Sequence, residues 1–322
     1  MRKLTRLIKY SLCNKIIVIT VILFVMVLSA EGAEVKEMRG KIVFSTIESA
    51  RSIFNIIYLD KKDTWKNPVR FTLPHKGDRA HSLVWLPDGK NILFHYSEWS
   101  SGVRKEYLAT INEDNHRVTP FEFHKIILPD NYKRDYACPK LSPDGSLLGA
   151  VAYGKRGVQI LVYNYSTKNL TICDKVSHCA PRFSWSPDSK YIAFETYEGP
   201  GEIAVWELES NNIRILDKGR NPIFNPLDKS IYYIGLDKHL YAIGIDGSRR
   251  HRVDNRDWSW TFPIGFSKDG QYLFFTDGVT HLWEALGGLE RQAIFVFDLN
   301  SHKKKRISKR YPIIEGLSLF ED

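Results

Sequence analysis

The sequence predicts an all-β protein built from repeated four-stranded antiparallel units, and three observations lead to this fold class. Aromatic residues make up 13% of the 322 residues, which is typical of strand-rich proteins because aromatic rings pack well on pleated surfaces. A short turn phrase recurs along the chain, and apolar residues alternate with a period of two after each copy. The composition, 43% hydrophobic and 26% charged, is that of a globular protein and excludes a disordered chain.

The chain begins with the three-part pattern of a secretory signal. Residues 1–15 carry five bases and no acid, residues 16–28 form an apolar run, and residues 29–33 are mostly small. The apolar run is shorter than the roughly 20 residues that a membrane-spanning helix needs. We therefore predict a signal peptide at residues 1–33, with an uncleaved anchor as the alternative. Residues 34–322 are then a single domain that is periplasmic or otherwise extracytoplasmic, and the membrane is contacted only through the N-terminal segment.

The charge of the chain is positive and unevenly distributed. The net charge of the whole chain is +9, and without residues 1–33 it is +5, from 41 bases and 36 acids. Six of these bases lie within residues 303–310. Such a segment is either a patch for anionic lipid, polysaccharide or nucleic acid, or an ordinary solvated strand and turn. Because an exported protein does not meet nucleic acid, we predict no nucleic-acid partner.

The recurring turn phrase defines a repeat of about 40 to 55 residues. Its copies are WLPDG at 85–89, LSPDG at 141–145, WSPDS at 185–189, FNPLD at 224–228 and FSKDG at 266–270. Apolar residues follow each Asp at plus four and plus six: Ile92 and Phe94, Leu148 and Ala150, Ile192 and Phe194, Tyr232 and Ile234, and Leu273 and Phe275. The period of two predicts strands with one buried face. The phrase itself predicts a turn, because Pro fixes φ and Gly allows a positive φ.

Each copy is followed by a second apolar phrase, one further such phrase precedes the first copy, and short fourth strands come after the second phrases. The second phrases are IIYLD at 56–60, YLATI at 107–111, ILVYN at 160–164, IAVWE at 203–207, LYAI at 240–243 and IFVFD at 294–298. The fourth strands include residues 212–216 and 304–308. Four-stranded antiparallel units at this period predict a β-propeller, and we count six blades. The first unit lacks its first strand, so residues 312–320 are expected to pair beside residues 41–46 and close the ring.

The repeat resembles the TolB-type propeller repeat, also called the WD40-like or PD40 repeat, over residues 40–322. WSPDS at 185–189, with Ile192 and Phe194, is the copy most similar to that family's motif. Five copies make the resemblance specific for the fold. It implies a periplasmic protein that binds partners through its propeller. The additional α/β domain that precedes the propeller in TolB is not found in this sequence, so the resemblance covers the propeller part alone.

Propellers bind ligands mostly at the mouth of the central channel, where loops enter the innermost strands. We expect those loops to hold aromatic, cationic and imidazole side chains. Such side chains anchor protein interfaces. They also suit an acidic sugar, because aromatic rings stack on the hexose and Arg binds a carboxylate with two hydrogen bonds. The predicted site residues are His81, Arg134, Tyr136, His178, Arg220, Trp258, Trp260, Arg310 and Tyr311.

The sequence contains no strong catalytic or metal motif. HExxH, HxH, a calcium loop, a phosphate loop and GxSxG are absent, so no metal and no cofactor are predicted. After removal of the signal, Cys138, Cys173 and Cys179 remain, and a single disulfide between Cys173 and Cys179 is left open. His81 and His178 can still converge between blades, as in some propeller lyases that use manganese.

These observations predict an exported, non-catalytic propeller that binds a protein or peptide partner in the cell envelope through its channel-mouth face. The alternative is a polysaccharide-binding protein, or a polysaccharide lyase or hydrolase, that acts on an anionic saccharide at the same face. An enzyme needs two titratable groups with displaced pKa values facing a closed pocket. A binding protein needs only an aromatic and Arg-rich patch.

Overall fold

The computed structural model describes residues 40–48, 51–60, 67–100, 103–121, 132–154, 157–174, 176, 179–196, 201–259, 261–278, 292–311 and 315–320. These residues form twenty-three β-strands and no helix, as the all-β prediction requires. Accordingly, this part of the chain holds no helix that is long and apolar enough to cross a membrane. The predicted signal peptide at residues 1–33 lies outside the described residues.

Four of the five sheets have four antiparallel strands, and their boundaries follow the repeat. The first sheet contains β1 (Lys41–Glu48), β2 (Arg51–Tyr58), β3 (Val69–Thr72) and the last strand of the chain, β23 (Glu315–Phe320). The second contains β4 (Arg79–Trp85), β5 (Asn91–Ser100), β6 (Val103–Asn112) and β7 (Val118–Pro120). The third contains β8 (Tyr132–Leu141), β9 (Leu147–Gly154), β10 (Gly157–Asn164) and β11 (Leu170–Ile172). The last of these sheets contains β19 (Thr261–Phe266), β20 (Tyr272–Gly278), β21 (Gln292–Asp298) and β22 (Lys304–Arg306).

The remaining sheet has seven strands because one long strand belongs to two repeats. Its strands are β12 (Cys179–Trp185), β13 (Tyr191–Thr196), β14 (Glu202–Glu207), β15 (Asn212–Phe224), β16 (Ile231–Gly235), β17 (Leu240–Ile243) and β18 (His251–Asp254). Residues 212–218 of β15 pair with β14, and residues 219–224 pair with β16. The sequence predicts a fourth strand at 212–216 followed by a loop, and that boundary is wrong because the backbone continues in extended form.

The turn phrases form the turns that join the first strand of a unit to the second. In the LSPDG and WSPDS copies, the Ser hydroxyl donates to the Asp carboxylate, at 2.6 Å from Ser142 to Asp144 and 2.7 Å from Ser186 to Asp188. The residue in the Gly position has a positive φ, including Ser189 at 61°. The phrase therefore acts as a structural turn, as predicted.

The ends of the chain meet in the first sheet. β23 pairs antiparallel with β1, from Lys41 opposite Phe320 to Ser45 opposite Glu315, with a register shift after Phe44. This pairing confirms the prediction that a C-terminal strand completes the first unit. Contacts then link the first strands of successive units, from β23 to β4, β8, β12, β15 and β19, and from β19 back to β23. The arrangement of antiparallel sheets is propeller-like.

The second and third strands of the units are buried on both faces, which differs from the prediction of one buried face. In β20, Phe274 belongs to a hydrophobic cluster with β1, whereas the next residue, Phe275, belongs to a cluster with β16. In β16, the adjacent residues Tyr232 and Tyr233 likewise belong to two different hydrophobic clusters, one on each face of their sheet. Each sheet is thus packed between two neighbours, and period-two apolar positions mark only one of its two buried faces.

The three cysteines of the described chain are free thiols, so no disulfide joins Cys173 to Cys179. Both side chains are buried in one hydrophobic cluster between the sheets.

The turn carboxylates make the fold sensitive to acid. Burial raises the pKa of Asp144, but hydrogen bonds from Ser142 and Ser146 outweigh it and lower the pKa to about 2. In Asp188, burial again raises the pKa, and hydrogen bonds from Lys229 and Ser186 lower it to about 2. Because the pKa of Asp in an unfolded chain is about 3.9, this stabilisation is fully present above that pH and is lost as the pH falls toward 2.

We expect Asp144→Asn with Asp188→Asn to lower stability at neutral pH and to flatten its loss in acid. Urea denaturation at a series of pH values measures this. The urea concentrations at the midpoints of unfolding of the wild type and the double variant should converge near pH 2. Parallel pH curves for the two proteins would contradict it.

Gly149 marks a close approach of β9 to the next sheet. A Cβ at this position would lie 2.7 Å from Cε2 of Phe183 and 3.1 Å from Cζ2 of Trp185. Both rings are buried, so they have little room to move. We expect Gly149→Ala to lower the free energy of unfolding by about 1–3 kcal/mol.

Gly265→Ala is the matched control, because its Cβ would meet Leu319 at an ordinary 3.6 Å. Chemical denaturation should show a change within about 0.5 kcal/mol for this variant. Equal losses in both variants would refute the close-packing explanation.

Candidate functional site

A cavity of about 190 Å³ lies where the first strands of successive units face one another. Its lining comes from β4, β8, β12, β15 and β19, with Thr276 of β20. The lining residues are Ser82, Leu83, Val84, Cys138, Pro139, Lys140, Arg182, Phe183, Ser184, Asn221, Pro222, Ile223, Phe262, Pro263, Ile264 and Thr276. This set contains two cations and no carboxylate.

Irregularities in the first strands shape the cavity. Each of the five lining strands has a register shift against its second strand, such as the shift between His81 and Val84 in β4. Ser82, Cys138 and Asn221 have φ values of 54°, 52° and 53°, an unusual left-handed conformation for residues other than Gly. A bulge of this kind re-aims side chains. It places these three residues on the cavity wall.

Hydrogen bonds between neighbouring first strands hold the cavity wall together. Ser82 Oγ donates to Cys138 Sγ at 3.4 Å, from β4 to β8. The Lys140 ammonium donates to the carbonyl of Phe183 at 2.6 Å, from β8 to β12. Asn221 Nδ2 donates to the carbonyl of Thr261 at 3.3 Å, from β15 to β19. The wall is therefore a linked structure in which strands that pair within different sheets bond to each other.

Lys140 and Arg182 make the cavity cationic. Burial lowers the pKa of Lys140 to about 8, Cys138 opposes this, and the positive charge of Arg182 adds to it. The Arg182 guanidinium lies over the ring of Phe262, with Cζ 4.1 Å from the ring centroid. An anionic group entering the cavity would meet both cations against aromatic walls, where attraction is stronger than in water.

Glu195 lies behind Asn221 rather than on the cavity wall. The Asn221 backbone N–H donates to its Oε2 at 3.2 Å. Burial raises the pKa of Glu195, and this N–H together with Arg220 and Arg182 partly offsets that rise. Lys140 thus has a displaced pKa and lines the cavity, whereas Glu195 has a displaced pKa and does not. These two groups therefore do not face each other across the cavity.

The structure places most of the residues predicted from the sequence in first strands of the units and in the clusters between sheets. His81 and Arg220, which were expected in loops, lie within β4 and β15, and the ring of His81 is 6.1 Å from that of His95. Arg134 and Tyr136 lie in β8 rather than in a loop. Trp258 is 2% exposed and packs on Phe275 and Phe297. Tyr311 is 3% exposed against Phe44, and Arg310 is exposed. His178 and Trp260 lie outside the described residues.

Trp258 and Tyr311 are therefore core aromatics in this structure and do not present their rings on an open surface. The cavity residues Lys140 and Arg182 were missed. A signal for Arg182 exists in the repeat, since one cavity residue lies three positions before the first residue of each turn phrase: Ser82, Cys138, Arg182, Asn221 and Pro263. Among the described residues, no group of three or more His, Cys, Asp or Glu side chains is arranged to hold a metal ion.

The fold and its cavity define a propeller-like all-β protein with a cationic cavity among the first strands of its units. Solved structures with this fold include TolB from Acinetobacter baumannii, with a TM-score of 0.62 and 14% identity over 87% of this chain and 66% of that one. A putative TolB from Agrobacterium tumefaciens has a TM-score of 0.56 and 16% identity over 89% of this chain and 100% of that one. A chain of the nidogen/laminin complex has a TM-score of 0.56 and 11% identity over 87% of this chain and 98% of that one.

The similarity to TolB confirms the TolB-like propeller fold that the repeats predict, and at these identities it is a similarity of fold. No family model matches the sequence, and no curated protein matches it in sequence. This chain spans slightly less than two thirds of the length of the Acinetobacter TolB chain.

The shifted pKa of Lys140 can be measured by labelling. In the native full chain, the rate at which an amine-directed reagent modifies Lys140 should reach half its maximum near pH 8, because the neutral amine is the reactive form. In denaturant the midpoint should move to about 10.4, the usual value for lysine. Mass spectrometry of the labelled peptide follows both reactions. A native midpoint near the denatured one would contradict the burial of this ammonium.

Proposed function

We propose that the chain is a six-bladed propeller in which the seven-stranded sheet supplies two blades. The pairing of β15 supports this count, since its first half completes one four-stranded unit and its second half begins the next. A hydrophobic cluster packs β13 and β14 against β16 and β17, as if they belonged to neighbouring sheets. The contacts that run from β23 through β4, β8, β12, β15 and β19 and back to β23 link six first strands, as in a closed ring.

The proposed function is non-catalytic binding of a protein or peptide partner in the cell envelope, through the channel-mouth face. Residues 1–33 act as the signal peptide, and residues 34–322 are the periplasmic or otherwise extracytoplasmic domain. The basic, apolar and small segments of the N-terminus support export, as does the fold similarity to TolB. The nidogen/laminin structure supports protein binding by a fold of this kind.

The cationic cavity is the observation that carries this proposal. It combines Arg182, whose guanidinium lies over the ring of Phe262, with the half-buried Lys140. Arg and aromatic side chains dominate the energetics of protein interfaces. The partner is expected to insert a segment with an acidic group, because the lining offers positive charge and no carboxylate.

Site-specific photo-crosslinking in intact cells tests this proposal. A photoreactive phenylalanine analogue at Phe262 should form a covalent adduct with a protein partner. Adding Arg182→Gln should reduce the adduct at least about fivefold, since Arg is a frequent anchor of interfaces.

Two controls make the crosslinking result specific. The same analogue at Val69, exposed on the outer strand β3, should give no adduct, and Arg214→Gln, an exposed Arg in the first half of β15, should leave the Phe262 adduct unchanged. The channel-mouth proposal fails if Phe262 forms no adduct, or if Val69 forms the same one.

A further inference from the structure

Lys140 is fixed at both ends on the wall of the cationic cavity. Its backbone carbonyl accepts a hydrogen bond from the Trp185 indole nitrogen at 3.1 Å, and its side-chain nitrogen donates to the carbonyl of Phe183 at 2.6 Å. The same nitrogen lies 5.5 Å from the centroid of the Phe183 ring. Because both ends are held by β12, this lysine lines the cavity with less rotational freedom than an exposed lysine has.

The surroundings of Lys140 favour its uncharged amine. Burial lowers the pKa of Lys140 to about 8, Cys138 opposes this shift, and the charge of Arg182 adds to it. The residues that line the cavity include no carboxylate, which would hold the lysine as an ammonium. An uncharged amine keeps an N–H to donate to Phe183 and has a lone pair that can attack a carbonyl carbon.

Arg182 supplies a second recognition group in the same cavity. Its guanidinium lies over the ring of Phe262, with Cζ 4.1 Å from the ring centroid. Arg182 is exposed whereas Lys140 is half-buried, so the guanidinium lies on the solvent side of the amine. A guanidinium binds a carboxylate with two parallel hydrogen bonds. Glu195 interacts electrostatically with Arg182, but it lies behind Asn221 and leaves the cavity side to a ligand.

The size of the cavity limits the ligand to a small molecule. Its volume of about 190 Å³ is room for roughly six water molecules at about 30 Å³ each, and pockets for drug-sized ligands are larger. Leu83, Ile223 and Ile264 give the lining an apolar part, which an inorganic anion would leave unused. The lining therefore suits a short molecule that carries one carboxylate, one reactive carbonyl group and a small apolar group.

We propose that the cationic cavity binds a small 2-oxo acid reversibly as an imine on Lys140, with the carboxylate of the ligand on Arg182. The Lys140 nitrogen forms a bond to the ketone carbon, and the carbon–oxygen bond of the resulting carbinolamine then breaks. The oxygen leaves as water with the two protons that the amine loses, so the step needs no oxidant or reductant. Addition of water reverses it. This binding requires no protein partner, so its test is independent of crosslinking at Phe262.

Reductive trapping of the full chain with pyruvate and sodium cyanoborohydride tests the proposal, because hydride converts the imine into a stable amine. Peptide mass spectrometry should locate the adduct on Lys140. At neutral pH, trapping at Lys140 should be at least about tenfold faster than at Lys90 and Lys190, two exposed lysines. The reason is that burial lowers the pKa of Lys140 and so raises its fraction of uncharged amine.

Methyl pyruvate tests the role of Arg182, since it has the same ketone but no charged carboxylate. In Arg182→Gln, the ratio of the trapping rate with pyruvate to that with methyl pyruvate should fall at least about fivefold. The ratio is used because any change in the pKa of Lys140 affects both ligands equally. The matched control is Arg214→Gln, an exposed Arg in the first half of β15, which should leave the ratio unchanged.

Lys140→Met should remove the principal adduct, and thermal unfolding checks that this variant is folded. If it is not, the peptide map of the wild-type chain decides alone. Three outcomes would overturn the proposal. The first is no adduct on Lys140 in the wild-type chain. The second is equally fast trapping at Lys90 or Lys190. The third is an unchanged ratio in Arg182→Gln, which would mean that this guanidinium does not hold the carboxylate.

Discussion

Burial of both faces of each sheet is the constraint on which the structure depends. A sheet such as β19–β22 presents Phe274 to one neighbour and Phe275 to the other, so it cannot leave either face in water without exposing large aromatic rings. A row of such sheets would expose a face at each end. The pairing of β23 with β1 supplies the strand that the first sheet otherwise lacks, and contacts of β19 with β23 bring the last sheet beside the first. The central cavity is a product of the same constraint, since the first strands converge where the sheets meet.

The repeat made the strands predictable, because a turn phrase with a fixed frame marks the start of each second strand. Positions plus four and plus six from each Asp are buried as predicted. The intervening residues are buried as well, because the neighbouring sheets cover both faces. The continuity of β15 was not predictable in the same way. Asp217, Lys218 and Gly219 have the composition of a loop, but they lie where two sheets share a strand.

The site was harder to predict than the fold because side-chain direction depends on local backbone irregularity. The residue types of Ser82, Cys138 and Asn221 do not predict a positive φ. This conformation nevertheless places all three residues on the cavity wall. The sequence predicts Trp258 and Tyr311 as site residues because they are aromatic and lie between strands, but both are buried in clusters between sheets. The position of an aromatic residue in a loop does not show whether its side chain is buried in the core or exposed for binding a partner. The three-residue offset from the turn phrase is a better guide, because it follows the geometry of the strand.

The joint between β1 and β23 also has a consequence for how the protein reaches its native state. Its two strands are separated by most of the polypeptide, whereas the other neighbouring strands are close in sequence. Forming a contact across so long an intervening segment carries a large entropic cost, and proteins dominated by such contacts fold slowly. The five residue pairs between β1 and β23 therefore form only after residues 315–320, the last described strand, have been synthesised. Until then the exposed edge of β1 is open to pairing with a strand of another molecule, which gives this protein a period of vulnerability to misassembly during its biogenesis.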